Sequence, residues 1–239
     1  MAARARQPRA IAVNVPRISL LAACALVAAG CSRPHAPEWE ERTHEALEQY
    51  QRNYFDGASA AAERDYGRAG YALASTGRLD LRARGALVRC ALAVAALDFG
   101  RCEAWEAVKA DAATGDQSYG ALLDGRFDGL DAKSLPPQYA PLVKAHDTTA
   151  REKALRQIED PVSRLIAAGA LFRAGELSPQ GVQVAVDTAS AQGYRRPLLA
   201  WLSAQAKLAE AAGDGEMATR VRRRIELVAP AANSREMER

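Results

Sequence analysis

Three histidines and four cysteines are the residues of this 239-residue chain with the widest range of chemistry. The histidines are His35, His44 and His146. They lie far apart, and none belongs to an HExxH or a comparable metal-ligand spacing. No serine lies in the G-x-S-x-G turn that exposes a nucleophile. The sequence therefore predicts no metal site, no cofactor and no nucleophilic catalysis.

The acidic residues offer two further possibilities. Asp124, Asp128 and Asp131 crowd one segment, but the alternation of oxygen ligands that binds calcium in an EF-hand is absent, which favours a solvated turn. A glutamate in a long groove with a raised pKa could act on peptidoglycan. The candidates are Glu63, Glu152 and Glu159. All three have charged neighbours, and we expect them to be exposed, which argues against a raised pKa. A peptidoglycan-active enzyme on a helical scaffold is therefore only the alternative hypothesis.

The first 30 residues are typical of an export signal. Four arginines and no acidic residue precede the apolar run Ile18–Ala29, which is followed by small residues. This run is too short for a transmembrane helix, which needs about 20 apolar residues. The sequence Ala28-Ala29-Gly30-Cys31 resembles the lipobox of bacterial lipoproteins, and this resemblance implies cleavage before Cys31 and acylation of its sulfur. Cys24 follows a closer lipobox match but leaves a shorter apolar run, and cleavage without lipid is a third possibility.

Removal of residues 1–30 changes the charge of the protein. The full chain has 32 basic and 29 acidic residues, and the four arginines of the signal account for the basic excess, leaving 28 against 29. Nucleic-acid binding depends on neutralising phosphates, so we expect no nucleic-acid partner. Ser32 follows Cys31, and the resemblance to lipoproteins implies sorting to the outer membrane, because Asp at this position favours retention in the inner membrane. We predict a tether over 31–37.

Cys90 and Cys102 are the cysteines left after Cys31. In an oxidising periplasm they are candidates for a disulfide. We expect Cys90 in a helix over Leu81–Leu97 and Cys102 beyond the turn that follows it. Two buried thiols remain the alternative.

The composition of the chain favours helices throughout. Ala and unbranched side chains lose little entropy in a helix, and no convincing alternating strand pattern occurs, so we predict an all-α fold of stacked antiparallel hairpins. We expect a helical region over 38–123 that includes one helix over Glu103–Thr114. A connection rich in Pro, Gly and Asp follows over 124–138, then a helical-hairpin region over 139–230 and a disordered tail over 231–239.

The hairpin region carries a regular spacing of helix-start signals. Pro161, Pro179 and Pro197 recur at a constant step, and the next position in this series is Gly215. Pro is favoured at the first position of a helix, and Asp160, Ser178 and Asp214 are good N-caps. Four helices at a constant step indicate two hairpins with a period of about 36 residues, which is typical of a helical solenoid.

These residues also resemble a repeat family. The stretch Ala168–Gly175 resembles the Leu-Gly-x-x-Tyr-x-x-Gly block of a Sel1-like repeat, and Ala189–Gly193 resembles its Ala-Ala-x-x-Gly end. The positions of Ala206, Ala218 and Pro230 are similar to those of a tetratricopeptide hairpin. The resemblance implies a scaffold that binds other proteins.

The densest basic set lies near the C-terminus. Arg220, Arg223 and Arg224 share a helix face, which we expect to be solvated or to contact lipid headgroups or an acidic partner. We expect a non-enzymatic lipoprotein, anchored to the outer membrane and facing the periplasm, that binds an unidentified envelope protein.

Overall fold

The computed structural model describes residues 36–229. In this range the protein contains helices, turns and loops, with no strand, and the prediction of an all-α array of hairpins is confirmed. The α-helices are α1 (Glu38–Asp56), α2 (Ser59–Ala74), α3 (Leu79–Ala95), α4 (Glu103–Glu106), α5 (Thr114–Leu123), α6 (Ala140–Lys144), α7 (Thr148–Gln157), α8 (Pro161–Arg173), α9 (Pro179–Gln192), α10 (Arg195–Ala211) and α11 (Gly215–Val228). Short 3₁₀ turns cover Lys109–Asp111 and Pro137–Tyr139.

The first hairpin, α1–α2, turns at Gly57. This residue adopts φ of 90°, a left-handed conformation that glycine reaches without strain from a side chain. Inside the hairpin, the buried carboxylate of Asp65 accepts a hydrogen bond from the Asn53 side chain at 2.6 Å and pairs with Arg68 at 2.7 Å. These partners compensate the cost of burying a charge and hold the two helices in register.

Three of the last four helices start at the N-cap residues that the sequence predicts. The side chain of Asp160 accepts from the backbone N–H of Ser163 at 2.6 Å, Ser178 accepts from Gly181 at 3.0 Å, and Asp214 does the same for α11. The start of α10 differs from the prediction, because this helix begins at Arg195, two residues before Pro197. Tyr194 holds the N-cap position there without a side-chain hydrogen bond.

The centre of the molecule is the crossing of α3 and α8. Gly169 lies so close to α3 that an added Cβ would be 2.2 Å from the carbonyl oxygen of Val94. At the next residue of α3, the Ala95 carbonyl accepts a hydrogen bond at 2.9 Å from the indole of Trp201, which is fully buried on α10. Residues from both predicted helical regions therefore share one core.

The connection predicted over 124–138 consists of turns, and it also contributes to the core. Phe127 and Leu135 are buried in it, and the described residues from Pro37 to Ala229 form one compact unit. Contacts between α1 and α10 bring the first and last hairpins together. Arg196 of α10 stabilises the contact with α1 by donating a hydrogen bond from Nε to the Tyr54 carbonyl at 2.7 Å.

The helix predicted over Glu103–Thr114 is wrong. The chain there forms the four-residue α4 and a 3₁₀ turn, and α5 starts at Thr114. Gly115 does not end a helix but lies in the first turn of α5, where an added Cβ would be 2.9 Å from the Ser134 carbonyl oxygen. The glycine permits a close backbone approach, which the spacing along the sequence does not reveal.

Candidate binding groove

An open groove of about 530 Å³ runs between α3, α5 and α8. We call it the α3/α5/α8 groove. Its floor comes from α3 and its far wall from α8 and from the segment before the second 3₁₀ turn. Its main apolar lining residues are Leu87, Val88, Ala91, Leu92, Leu135, Pro136, Val162 and Ile166. The volume lies within the range of protein ligand pockets, which are mostly apolar with few polar groups.

The sequence of α3 explains why it forms this floor. Its apolar residues recur at the spacing that forms one face of a helix, and these residues are Leu87, Val88, Ala91 and Leu92. The structure buries most of this stripe, but leaves Val88 half-buried at the groove. Helix α3 thus contacts neighbouring helices on several sides and still leaves a strip of apolar surface open to the groove.

One ion pair marks the rim of the groove. Arg84 on α3 pairs with Asp116 on α5 at 3.4 Å, and Gln51 of α1 lines the same side. The Arg84 side chain is largely exposed, whereas that of Asp116 is mostly covered. The rim therefore offers a positively charged hydrogen-bond donor beside an apolar floor. Because the two partners lie on separate helices that are distant in the chain, their pairing left no periodic signal in the sequence.

A pair of tyrosines supports the wall of the groove. The rings of Tyr119 and Tyr139 stack with centroids 5.5 Å apart, and burial raises the pKa of the Tyr119 hydroxyl well above its usual value. The pKa of Tyr139 is also raised by burial, although its hydrogen bond with Ser163 lowers it. The stacked rings therefore pack α5 against the second 3₁₀ turn, which precedes α6.

The structure brings the two predicted cysteines together. Cys90 and Cys102 lie at disulfide distance, with their Cα atoms 5.8 Å apart. They line a second cavity of about 490 Å³. Its outer part is charged, because Asp124 pairs with Arg126 at 3.1 Å and with Arg173 at 3.3 Å. This pocket is more polar than the α3/α5/α8 groove, and its charges neutralise one another.

The remaining acidic turn residues and the two histidines of the described range, His44 and His146, occupy surface positions. Asp128 and Asp131 are exposed, and Asp131 accepts from the backbone N–H of Lys133 at 2.9 Å. His146 is exposed, and His44 lies 3.0 Å from Glu48. Within residues 36–229 no group of three or more His, Cys, Asp or Glu side chains is placed to hold a metal ion.

The predicted basic face lies on α11 and is partly neutralised. Arg220 pairs with Glu216 one turn earlier, and the adjacent Arg222 pairs with Glu210 of α10. Arg223 is exposed and Arg224 half-buried. Exposed pairs of this kind contribute little energy, but they reduce the field that an acidic partner would meet.

The three glutamates considered for catalysis lie near the surface. Glu63 forms two 2.8 Å hydrogen bonds with Arg89, and Glu159 is exposed. The hydroxyl of Ser178 and then the guanidinium of Arg156 lower the pKa of Glu152, which is the opposite of the shift that a general acid needs.

The structure describes neither the N-terminal 35 residues nor the last ten. Cys31, its alternative Cys24, the signal segment and the tail over 231–239 lie outside the described residues. Within the described residues no helix combines the length and the apolar character needed to cross a membrane.

Comparisons of this chain with protein-family models, with curated proteins and with solved structures yield no match.

Proposed function

We propose that this protein is exported, acylated at Cys31 and held on the periplasmic side of the outer membrane, where its helical body binds another envelope protein without catalysing a reaction. The observation that carries the binding part of the proposal is the α3/α5/α8 groove. It combines a continuous apolar lining with one donor-rich rim residue, Arg84. Such a surface suits the apolar side chains of a peptide or helix with a polar group at one edge.

Two observations support the proposed location. The N-terminal sequence has the basic, apolar and small-residue order of an export signal ending at Cys31. Cys90 and Cys102 lie at disulfide distance, and disulfides persist mainly in oxidising compartments such as the periplasm.

The location is tested by labelling cells with an alkyne fatty acid and separating the inner and outer membranes by density. The wild-type chain should carry label and follow the outer membrane, whereas a Cys31→Ser variant should lose both. A Cys24→Ser variant is the matched control and should behave as wild type. Loss of label in Cys24→Ser rather than in Cys31→Ser would place the anchor at the other cysteine, and unlabelled wild type would overturn acylation.

The binding role is tested by a charge placed in the groove. We expect Val88→Lys to remove the envelope proteins that cross-link to the wild-type chain in intact cells, because a lysine there must lose hydration when an apolar side chain docks. Val184→Lys is the matched control, since Val184 is also half-buried but lies on α9 away from the groove. Equal cross-linking of the two variants would contradict a role for the groove.

The same preparations distinguish a binding protein from a wall enzyme. Purified wild-type protein should release no soluble fragments from peptidoglycan. Release that is lost on mutation of Glu152→Gln, with helical circular dichroism unchanged, would replace the binding proposal with an enzymatic one.

A further inference from the structure

Two of the large apolar side chains that the described chain leaves exposed lie at the same end of the molecule. Tyr71, in the last turn of α2, is 80% exposed, and Leu79, the first residue of α3, is 54% exposed. The turn 75–78 joins these helices. Scattered single apolar residues are ordinary on a protein surface, but a grouped set indicates a contact.

The start of α1 belongs to this same end. An open groove of about 520 Å³ lies between the two helices of the first hairpin, and Arg42 and Ala46 of α1 face Tyr71 across it. Trp39, which precedes Arg42 by one turn, is half-buried. On the other side, Arg82 of α3 donates to the Gly70 carbonyl at 3.3 Å. We call Trp39, Tyr71 and Leu79 the docking patch.

Three of the arginines beside the docking patch are paired with carboxylates of the protein. Arg42 pairs with Glu38, Arg68 with Asp65, and Arg78 with Asp80. Arg64, Arg82 and the acidic side chains in the first turn of α1 add charges of both signs. This end therefore presents aromatic and aliphatic groups among mixed charges rather than a basic field. Aromatic residues with a polar tip are favoured where an apolar layer meets water, as in the interfacial belts of membrane proteins.

The chain length between the proposed anchor and α1 limits where this end can lie. Glu38 comes seven positions after Cys31, and at 3.3–3.6 Å per residue this segment spans at most about 25 Å. The 19 residues of α1 carry the opposite end of the hairpin roughly 28 Å further along the helix axis. The tether therefore keeps the end with the docking patch within about 25 Å of the anchored lipid surface in every orientation of the hairpin, whereas the end at Gly57 has roughly twice that range.

We propose that the docking patch rests on the lipid surface that holds the Cys31 anchor, inserting Trp39, Tyr71 and Leu79 among the headgroups. The contact adds apolar burial to the acyl anchor, in keeping with the need for a second signal in stable membrane attachment. It orients the first hairpin, with the turn at Gly57 directed away from the membrane. The inference rests on the proposed acylation and adds a defined orientation to it.

Trp39 provides a direct measurement of this contact. The chain has three tryptophans, and the other two, Trp105 and Trp201, are buried. We would reconstitute the purified lipidated full-length protein in phosphatidylcholine vesicles whose acyl chains carry bromine, which quenches tryptophan at short range. We expect quenching that disappears in Trp39→Phe, while Trp105 and Trp201 continue to fluoresce.

The patch itself is tested by a pair of substitutions on neighbouring helices. Tyr71→Ser with Leu79→Ser should reduce the quenched fraction of Trp39 on the order of tenfold, since both apolar contacts are lost. The matched control is Leu208→Ser with Leu227→Ser, which removes two exposed leucines from α10 and α11 and should leave quenching unchanged.

The outcomes separate the anchor from the orientation. If wild type fails to float with the vesicles and behaves as Cys31→Ser does, the proposed acylation fails. If wild type floats but Trp39 is not quenched, the docking patch is wrong while the anchor stands. Quenching that requires phosphatidylglycerol in the vesicles and disappears at high salt would also overturn the proposal, because it would show electrostatic attraction instead of apolar insertion.

Discussion

Three of the last four helices begin at a side chain that caps their first turn. The segment between α3 and α7 is instead stabilised by contacts between residues that are farther apart in the chain. Asp160, Ser178 and Asp214 each bond a backbone N–H three residues later. Between α3 and α7, Cys102 reaches back to Cys90, and Trp105 fills the space that a side chain at Gly120 would occupy. We therefore expect the first arrangement to survive the removal of one contact and the second to depend on several contacts at once.

The two regions also differ in which residues adopt a positive φ. Leu97 has φ of 55°, and it is the non-glycine residue with positive φ among those described. A side chain in this conformation costs roughly 1–2 kcal/mol. It lies within the chain segment that Cys90 and Cys102 enclose, where packing and the cross-link hold it. In the last four helices, positive φ occurs at glycines, including Gly193 and Gly213.

The largest effect should come from the crossing that joins the two regions. We expect Gly169→Ala to lower the free energy of unfolding by at least about 3 kcal/mol, because the new methyl group overlaps the Val94 carbonyl and forces α8 away from α3. Urea denaturation followed by circular dichroism measures it. Gly67→Ala is the control: its Cβ would meet open space on α2, so stability should rise by about 0.5–1 kcal/mol. Equal shifts in the two variants would contradict the close crossing.

Removal of the cross-link should have the next largest effect. Cys90→Ala combined with Cys102→Ala should cost about 3 kcal/mol, the value expected for a closed loop of this size, and should speed tryptic cleavage at the exposed Arg101. A reductant should produce the same changes in wild type and none in the double variant. If the reductant leaves wild type unchanged, the two thiols are not bonded.

Removing an N-cap side chain should lower the free energy of unfolding by less than the previous two changes, and by a similar amount in both regions. Asp160→Ala should lower the free energy of unfolding by about 1 kcal/mol, since the Ser163 N–H loses its acceptor. Asp147→Ala, which removes the cap of α7, should cost a similar amount although it lies in the other region. Asp160→Asn should restore most of the stability. A much larger loss in Asp147→Ala would show that this cap also holds long-range packing.

The smallest effect concerns pH. Hydrogen bonds from Ser178 and Arg156 lower the pKa of Glu152 in the folded protein. The ionised Glu152 side chain therefore contributes fully to the free energy of unfolding above the ordinary glutamate pKa near 4.5, and this contribution is lost as the pH falls below that value. Glu152→Gln should therefore reduce the acid-induced loss of stability by under about 1 kcal/mol. Glu159→Gln, at an exposed position, should leave the pH profile unchanged when both are followed by denaturation at a series of pH values.

The helix starts and the candidate groove differ in how far they could be predicted from the sequence. Asp160 and Ser178 were identifiable because a cap acts within three residues and leaves its signal in that window. A helix containing Cys90 was also predicted where α3 lies, but its role as a groove floor was not. That role depends on Val162 and Ile166, which belong to α8 and are distant from α3 in the chain. Tyr71 is a similar case, because only the structure shows that it is exposed while Tyr50 of the same hairpin is buried.

The sequence by itself determined the helical class, the starts of α8, α9 and α11, and the pairing candidates Cys90 and Cys102, because propensity, capping and cysteine count are local or compositional properties. Only the tertiary structure decided that Gly169 lies against Val94, that Arg84 meets Asp116, and that Trp39, Tyr71 and Leu79 share one end. These relations follow from how the helices cross. The crossings are set by the combined packing of side chains that are distant in the chain, and no single window of residues contains that information.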